Sequence, residues 1–106
     1  MVSKGYRIKL TQKAAEDLDE IYGYISAKLL AADAADNLMD KIERNIMRLA
    51  DFPFSCGHAL DETLKDRGYR RLIIDNYIAF YLVDDMEKQV VIMRILYGAS
   101  NYGELL

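Results

Sequence analysis

The spacing of the apolar residues changes twice along this chain, and that change constrains the fold more than any single motif. From Tyr6 to Leu10, apolar residues alternate with Arg7 and Lys9, the period of two that a half-buried strand shows. From Thr11 onward the apolar residues recur at steps of three and four, the spacing of an amphipathic helix. The last third returns to short apolar runs separated by turns. Such a chain must pack helices and a sheet together.

Two successive amphipathic helices, joined closely enough to form an antiparallel hairpin, are predicted between Thr11 and Pro53. The Thr11 hydroxyl is a suitable N-cap for the first helix and the Asp33 carboxylate for the second, and Pro53 ends the second. The first apolar stripe is Ala14, Leu18, Ile21, Tyr22, Ile25 and Leu29, and the opposite, outward face carries Lys13, Asp17 and Glu20. The second stripe is Ala35, Leu38, Ile42, Ile46 and Leu49.

Three further strands are predicted after a long loop over residues 54–68. They are Tyr69–Ile74, Tyr77–Val83 and Gln89–Leu96, with a tight hairpin turn at Asp75-Asn76. The run Tyr77–Val83 is apolar on both faces, as a central strand is. The predicted fold is therefore α+β: a small, mainly antiparallel β-sheet packed on an α-helical hairpin, in the order β-α-α-β-β-β and forming one domain over residues 1–106.

The composition argues against several classes of protein. The 106 residues include 14 Lys and Arg against 17 Asp and Glu, and this net charge of −3 argues against a general nucleic-acid binder. One Cys and one His are too few for a disulfide framework or a closed zinc site, so neither a metal nor another cofactor is expected. No stretch is long and apolar enough to span a membrane, and no signal peptide precedes the first strand. We expect a cytoplasmic domain.

Arg94 lies in the middle of the last predicted strand and shares a face there with Val90, Ile92 and Leu96. A charge in such surroundings is costly unless it is paired or lies at the mouth of a pocket. Two interpretations follow. Arg94 forms an ion pair with Asp75, Glu62 or another acid, or it contacts a phosphate or a partner.

A local basic cluster precedes and opens the second predicted strand. Its members are Lys65, Arg67, Arg70 and Arg71. Because successive strand residues face opposite sides, only one of Arg70 and Arg71 can point toward a given cleft. The cluster is either a solvated edge that blocks pairing with another sheet or a patch that positions phosphate.

Tyrosines are the other candidate functional residues. Tyr97 and Tyr102 flank a turn near the C-terminus, where they either cover the end of the sheet or stack on bases and act as acid or base groups. Tyr77 and Tyr81 lie on one face of the central strand, and core packing is the expected role of both.

Four segments carry a resemblance to a known family. They are "LTQKAAEDLDEIYGYI" after the first strand, "MRLADFP" at the end of the second helix, "YRRLIIDNYIAFYLVD", and the ending "VIMRILYGASNYGELL". In this order and spacing they resemble the RelE/ParE toxins of bacterial toxin–antitoxin pairs, and the resemblance covers essentially the whole chain. It implies a compact toxin of the plasmid-stabilisation type, which a separately encoded antitoxin holds inactive. Members of the family either cleave mRNA on the ribosome or inhibit DNA gyrase.

The resemblance also assigns roles to residues. Arg71 aligns with the arginine of the family's R-x-L segment, an arginine near Arg94 binds substrate in nuclease members, and Tyr97 stands where many relatives have His. The catalytic candidates for a nuclease are therefore Arg71, Arg94 and Tyr97. The candidate contacts with a target or a phosphate are Lys65, Arg67, Arg70, Arg71, Arg94 and Tyr102.

Two departures from the nuclease pattern favour the ParE-like branch. Ribosome-dependent nucleases carry an additional basic residue in the central strand, where this chain has Ile78 and Ala79, and basic residues near the position of Ala99 and Ser100. Phosphoryl transfer needs positive groups that stabilise the developing charge. We therefore predict a toxin that binds a target such as DNA gyrase and has no enzymatic activity. The alternatives are a RelE-type, ribosome-dependent mRNA endonuclease and an attenuated member that only binds its antitoxin.

Overall fold

A computed structural model describes residues 5–98 of the chain. The elements in that range are β1 (Arg7–Leu10), α1 (Gln12–Gly23), a π-helical turn (Tyr24–Lys28), α2 (Ala32–Arg48), α3 (Glu62–Asp66), β2 (Arg70–Ile74), β3 (Tyr77–Asp84) and β4 (Gln89–Tyr97). The predicted α+β fold is confirmed. None of the helices within residues 5–98 is both long and apolar enough to cross a bilayer.

The strands form one four-stranded sheet in the order β1-β4-β3-β2. β1 lies parallel to β4 at one edge, and the other pairs are antiparallel. The hairpin between β2 and β3 turns at Asp75 and Asn76 as predicted, with Asp75 at a positive φ of 54°. β3, the apolar strand, pairs on both sides, as its composition predicts.

The helical hairpin covers one face of the sheet. Its two apolar stripes bury Ile21, Ile42 and Ile46 against Tyr81 and Ile92 of the central strands. Transfer of such side chains from water supplies about 1.5–3 kcal/mol each before the loss of conformational entropy is counted. This packing places α1 directly over β4, and the functional surface described below lies along that junction.

The other face of the sheet is also covered, by residues 59–69, all but the last of which the sequence predicted to be part of a loop. A second buried cluster lies there, consisting of Ala59, Leu64, Tyr69, Phe80 and Leu96. The segment contains the short helix α3, whose N-cap Asp61 accepts a hydrogen bond from the Leu64 backbone N–H at 3.1 Å. The prediction of a loop over residues 54–68 was therefore wrong where α3 forms, because five helical residues are too few to show a hydrophobic period.

The hairpin differs from the prediction at its tip. α1 ends at Gly23 and continues as a π-helical turn, so the first helix does not reach Leu29 as a regular α-helix. α2 begins at Ala32 with Ala31 as its N-cap, and Asp33 lies in the first turn instead of capping it. The wide π-helical turn shifts the residue at which α2 begins. Local capping preference therefore does not set the start of this helix.

Candidate functional site at the bulge of β4

A β-bulge interrupts the pairing of β3 with β4. Phe80 pairs with Arg94 and the next residue, Tyr81, pairs with Ile92, so Met93 is an extra residue in β4. A bulge bends its strand and removes backbone groups from the ladder, which must then bond elsewhere.

The bulge corrects the predicted surroundings of Arg94. Ile92 and Ile95 both lie in the core beneath the helices, three residues apart, whereas Leu96 belongs to the cluster on the opposite face. Ile92 and Leu96 therefore do not share a face, and the strict alternation assumed for this strand was wrong. Because of the extra residue, the side chains before and after it alternate between the two faces of the sheet in opposite phase. No local sequence signal marks this change.

Thr11 and Asp17 of α1 supply the bonds that the bulge requires. The Thr11 hydroxyl donates to the Met93 carbonyl at 2.8 Å and accepts from the Ala14 N–H at 3.0 Å, so the predicted N-cap is confirmed and also satisfies the bulge. The Ile95 backbone N–H donates to Asp17 Oδ2 at 2.9 Å. The N-cap and the first half of α1 thus bond to backbone groups on either side of Arg94.

Asp17 and Arg94 form a bidentate ion pair at the same place. Arg94 Nε donates to Asp17 Oδ2 and an Arg94 terminal nitrogen donates to Asp17 Oδ1, both at 2.8 Å, with side-chain exposures of 15% and 7%. The Asp17 carboxylate raises the pKa of the Arg94 guanidinium. We call Thr11, Asp17, Met93, Arg94 and Ile95 the β4 clamp.

The predicted ion pair of Arg94 is therefore confirmed, with an acid other than Asp75 or Glu62. Asp75 bonds to Lys41 instead, at 3.1 Å. The prediction that Asp17 faces outward was wrong. Asp17 is three residues after Ala14 and four before Ile21, and all three are buried on one stripe of α1. That spacing is the signal by which sequence reasoning could have found Asp17.

An open groove of about 840 Å³ lies beside the clamp, between α1 and the end of β4. We call it the tyrosine groove; its lining includes Asp17, Glu20, Tyr24, Tyr77, Arg94 and Tyr97. The rings of Tyr77 and Tyr97 meet edge to face with their centroids 5.8 Å apart. Burial and the neighbouring phenols raise the pKa of Tyr77, so its hydroxyl remains protonated at neutral pH.

The tyrosines agree with their predicted positions as far as the structure describes them. Tyr97 is 52% exposed at the end of β4. Tyr81 is fully buried and its hydroxyl donates to the Pro53 carbonyl at 3.0 Å, and Tyr77 packs against the main core. Tyr102, Ala99 and Ser100 lie outside the described residues.

The basic cluster lies at the β2 edge of the sheet, two strands away from the β4 clamp. Arg70 donates to the Cys56 carbonyl at 2.6 Å and stacks over the Phe54 ring, 5.1 Å from its centroid. Arg71 Nε donates to the His58 carbonyl at 3.2 Å. Residues 53–60, which we call the docked loop, are thus held to β2 by side chains that bond to backbone carbonyls and by backbone hydrogen bonds, including one from the Arg71 N–H to the Gly57 carbonyl at 3.1 Å.

The cluster does not form one continuous basic patch with Arg94. Arg71 pairs with Phe80, which pairs with Arg94, so the two arginines share a row across three strands. Their guanidinium groups nevertheless bond to different elements, the docked loop and α1 respectively. Arg67 stacks over Tyr69 at 5.1 Å, and Lys65 is exposed on α3. Within residues 5–98, no group of three or more His, Cys, Asp or Glu could hold a metal ion.

Solved structures place this arrangement in a known class. The chain is similar to a structure described as the chromosomal ParDE TA system from P. aeruginosa, with a TM-score of 0.72 and 26% identity over 90% of this chain and 98% of the other. It also shares its fold with a chain of the toxin–antitoxin complex RelBE2 from Mycobacterium tuberculosis, with a TM-score of 0.61 and 24% identity over 91% and 94%. The fold is that of the RelE/ParE toxins.

The family follows from the sequence match. The family model of the ParE toxin of the type II toxin–antitoxin system, parDE, matches residues 8–102. The chain belongs to the ParE toxin family. No curated protein matches it.

Proposed function

We propose that this protein is the growth-inhibiting toxin of a bacterial plasmid-stabilisation pair, that it acts in the cytoplasm by binding a target such as DNA gyrase, and that a cognate antitoxin neutralises it. Membership of the ParE family supports the role of a toxin. The proposal adds that the protein acts through binding and not by cutting RNA.

The observation that carries this second part is the Asp17–Arg94 ion pair. Both oxygens of the carboxylate bond to the guanidinium at 2.8 Å. A phosphate at this position would have to compete with a nearly buried countercharge, so the arginine is poorly suited to stabilise charge that develops during cleavage.

The surroundings of this ion pair also favour a binding function. Arg71, the other arginine that a nuclease would need, is bonded to the docked loop. Glu20 lines the tyrosine groove next to Arg94 and repels an incoming phosphate. The two arginines and this carboxylate do not make a cradle for a polyanion.

A second groove supports the antitoxin as a partner. It lies on the helical side of the β1 edge, has a volume of about 380 Å³ and is lined mainly by apolar side chains, including Leu10, Leu18, Met39 and Met47. Within residues 5–98, β1 pairs with β4 and with no other strand, so its other edge can accept a further strand. An antitoxin segment can dock there by packing a helix into the groove or by adding a strand.

Induced expression of the protein alone, with DNA supercoiling and mRNA integrity measured in the same cells, tests the mode of action. We expect growth arrest with altered supercoiling and intact mRNA. Reproducible cuts in codon register that disappear in Arg71→Ala or Arg94→Ala would instead establish the RelE-type endonuclease. Normal growth with folded protein present would identify an attenuated toxin. Arg44→Ala, an exposed substitution on α2, is the control.

Co-expression with the adjacent reading frame tests the antitoxin. We expect one stable complex on size exclusion at micromolar concentration and restored growth. Separate elution of the two folded proteins would contradict the proposal. A Met47→Asp variant, which places a charge in the groove beside β1, should weaken the complex, whereas Met86→Asp in the exposed β3–β4 turn, which does not line the groove, should not.

A further inference from the structure

We propose that the tyrosine groove is a receptor for an arginine side chain of the antitoxin. This inference rests on the proposed function for the identity of the partner, but the chemistry of the groove can be tested without it. The groove lies between α1 and the end of β4 and is separate from the apolar groove beside β1.

Aromatic walls are the first reason. Tyr24, Tyr77 and Tyr97 all line the groove, and Tyr24 and Tyr97 are 54% and 52% exposed. The negative face of a tyrosine ring attracts a guanidinium group within about 6 Å of its centroid. The phenol oxygens also accept hydrogen bonds from a guanidinium, which has five donors.

The use of aromatic rings elsewhere in this chain is the second reason. Arg67 stacks over Tyr69, Arg70 over Phe54 and Lys88 over Tyr6, with cation-to-centroid distances of 5.1–5.2 Å. Within residues 5–98, no cation of the chain stacks over the three tyrosines of the groove. A cation that stacks on these faces would therefore come from outside that range.

Charge is the third reason. The charges of Asp17 and Arg94 cancel in their ion pair, which leaves Glu20 as the uncompensated charge among the groove residues. Glu20 forms no salt bridge within the described residues, and both Glu20 and Glu16 add to the rise in the Arg94 pKa, so their negative field reaches the clamp. A net negative, aromatic groove favours a cation and repels a phosphate.

We assign the cation to a partner. Residues 99–106, which follow β4, contain no Lys or Arg and include Glu104. Lys4 precedes β1 in the sequence, and β1 begins opposite Gln89, at the end of β4 away from Tyr97. The chain as a whole carries a net charge of −3, which favours a segment with positive side chains. Arginine fits better than lysine because its planar group can stack on a ring and bond to Glu20 at the same time.

Titration of the full chain with N-acetyl-arginine amide, followed by ¹⁵N NMR, tests the groove itself. We expect saturable shifts confined to the groove, with binding about tenfold weaker for the neutral N-acetyl-citrulline amide. Glu20→Gln and Tyr24→Leu should reduce binding to the level of citrulline, whereas Tyr24→Phe and the distant Glu43→Gln should not. Equal binding of citrulline, or shifts outside the groove, would overturn the inference. So would binding that occurs only after residues 99–106 are removed.

A double-mutant cycle with the antitoxin tests the partner. Each Lys and Arg of the co-expressed antitoxin is replaced by Ala, in complexes with the wild-type toxin and with Glu20→Gln. We expect one arginine whose loss weakens the wild-type complex about tenfold or more but barely affects the Glu20→Gln complex. A complex that forms without any such coupled residue refutes this inference and leaves the proposed function intact. Failure of any complex to form refutes the proposed function.

Discussion

The β4 clamp and the docked loop both join the sheet to a neighbouring segment, but they do so with different chemical groups. Both use arginine side chains of the sheet: Arg94 bonds to α1, and Arg70 and Arg71 bond to the docked loop. In the clamp, the Asp17 carboxylate receives two bonds from Arg94 and one from the Ile95 backbone. In the docked loop, Arg70, Arg71 and Tyr81 donate to backbone carbonyls of Cys56, His58 and Pro53.

The difference follows from burial. Arg94 is 15% exposed, and a guanidinium withdrawn that far from water needs a countercharge. Arg71 makes its bond to the His58 carbonyl in an exposed setting, so water still solvates its charge and a neutral carbonyl is a sufficient partner. Loss of a charge from the clamp should therefore lower the free energy of unfolding strongly, whereas loss of one side chain that bonds to the docked loop should cost no more than single hydrogen bonds.

The largest effect is expected for Asp17→Asn. The substitution removes the countercharge of Arg94 and one of the acceptor oxygens, and leaves a buried cation without neutralisation. We expect a loss of about 3–5 kcal/mol in the free energy of unfolding, measured by urea denaturation. Asp19→Asn, at an exposed position on the same helix, is the control and should change stability by less than about 0.5 kcal/mol. Equal stability of the two variants would show that the clamp does not stabilise the fold.

Arg94→Ala should cost less, about 1–3 kcal/mol. The Asp17 carboxylate then keeps its bond from the Ile95 N–H, so one of its partners survives. Stability and growth inhibition are measured on the same variant. If Arg94→Ala unfolds like the wild type but no longer inhibits growth, Arg94 is a contact residue and its structural role is refuted.

Tyr81→Phe should cost about 1–2 kcal/mol at neutral pH, because the Pro53 carbonyl loses its donor. Its pH dependence separates it from the clamp. Burial, with a smaller contribution from Cys56, raises the pKa of Tyr81 above the ordinary value of 10.0. Tyr81 therefore stays protonated in the folded state while the unfolded state ionises above pH 10. The stability that this residue contributes is complete below pH 10 and falls by about 1.4 kcal/mol per pH unit above it.

Urea denaturation of the wild type and Tyr81→Phe between pH 8 and pH 11.5 measures this difference. The wild type should lose more stability than the variant above pH 10. Parallel pH profiles for the two proteins would show that the Tyr81 hydroxyl is not held protonated by the fold.

Arg71→Ala should have the smallest effect, about 0–1 kcal/mol, because its bond to the His58 carbonyl is replaced by water. Thermal melts of Arg71→Ala and Arg94→Ala under the same conditions compare the two regions directly. A variant at Arg71 that melts like the wild type also becomes the better probe of target binding. A loss as large as that of Arg94→Ala would show that the docked loop and the clamp do not differ as proposed.

Much of the fold could be predicted from the sequence because the relevant signals are local. The spacing of Ala14, Ile21 and Ile42 predicts helices with one buried side, and the Thr11 N-cap lies at the predicted residue. The turn at Asp75-Asn76 and the apolar β3 predict the antiparallel arrangement of β2, β3 and β4. The α3 helix was missed because its five residues are too short to show a period.

The candidate site was predicted only in part. An ion pair at Arg94 follows from a charge placed among apolar residues, but its partner is 77 positions away in α1. Glu20 and Tyr24 read as ordinary surface residues of a helix. They become part of a groove only because α1 lies beside Tyr77 and Tyr97.

The sequence by itself determined which segments form helices and strands, since hydrophobic period and capping act over a few neighbouring residues. Only the tertiary structure decided where the charges meet. The bulge at Met93 reverses the alternation of β4 partway along the strand, and the packing of α1 on that strand brings Asp17 to Arg94. Both depend on contacts between residues far apart in the chain, and no local pattern encodes such contacts.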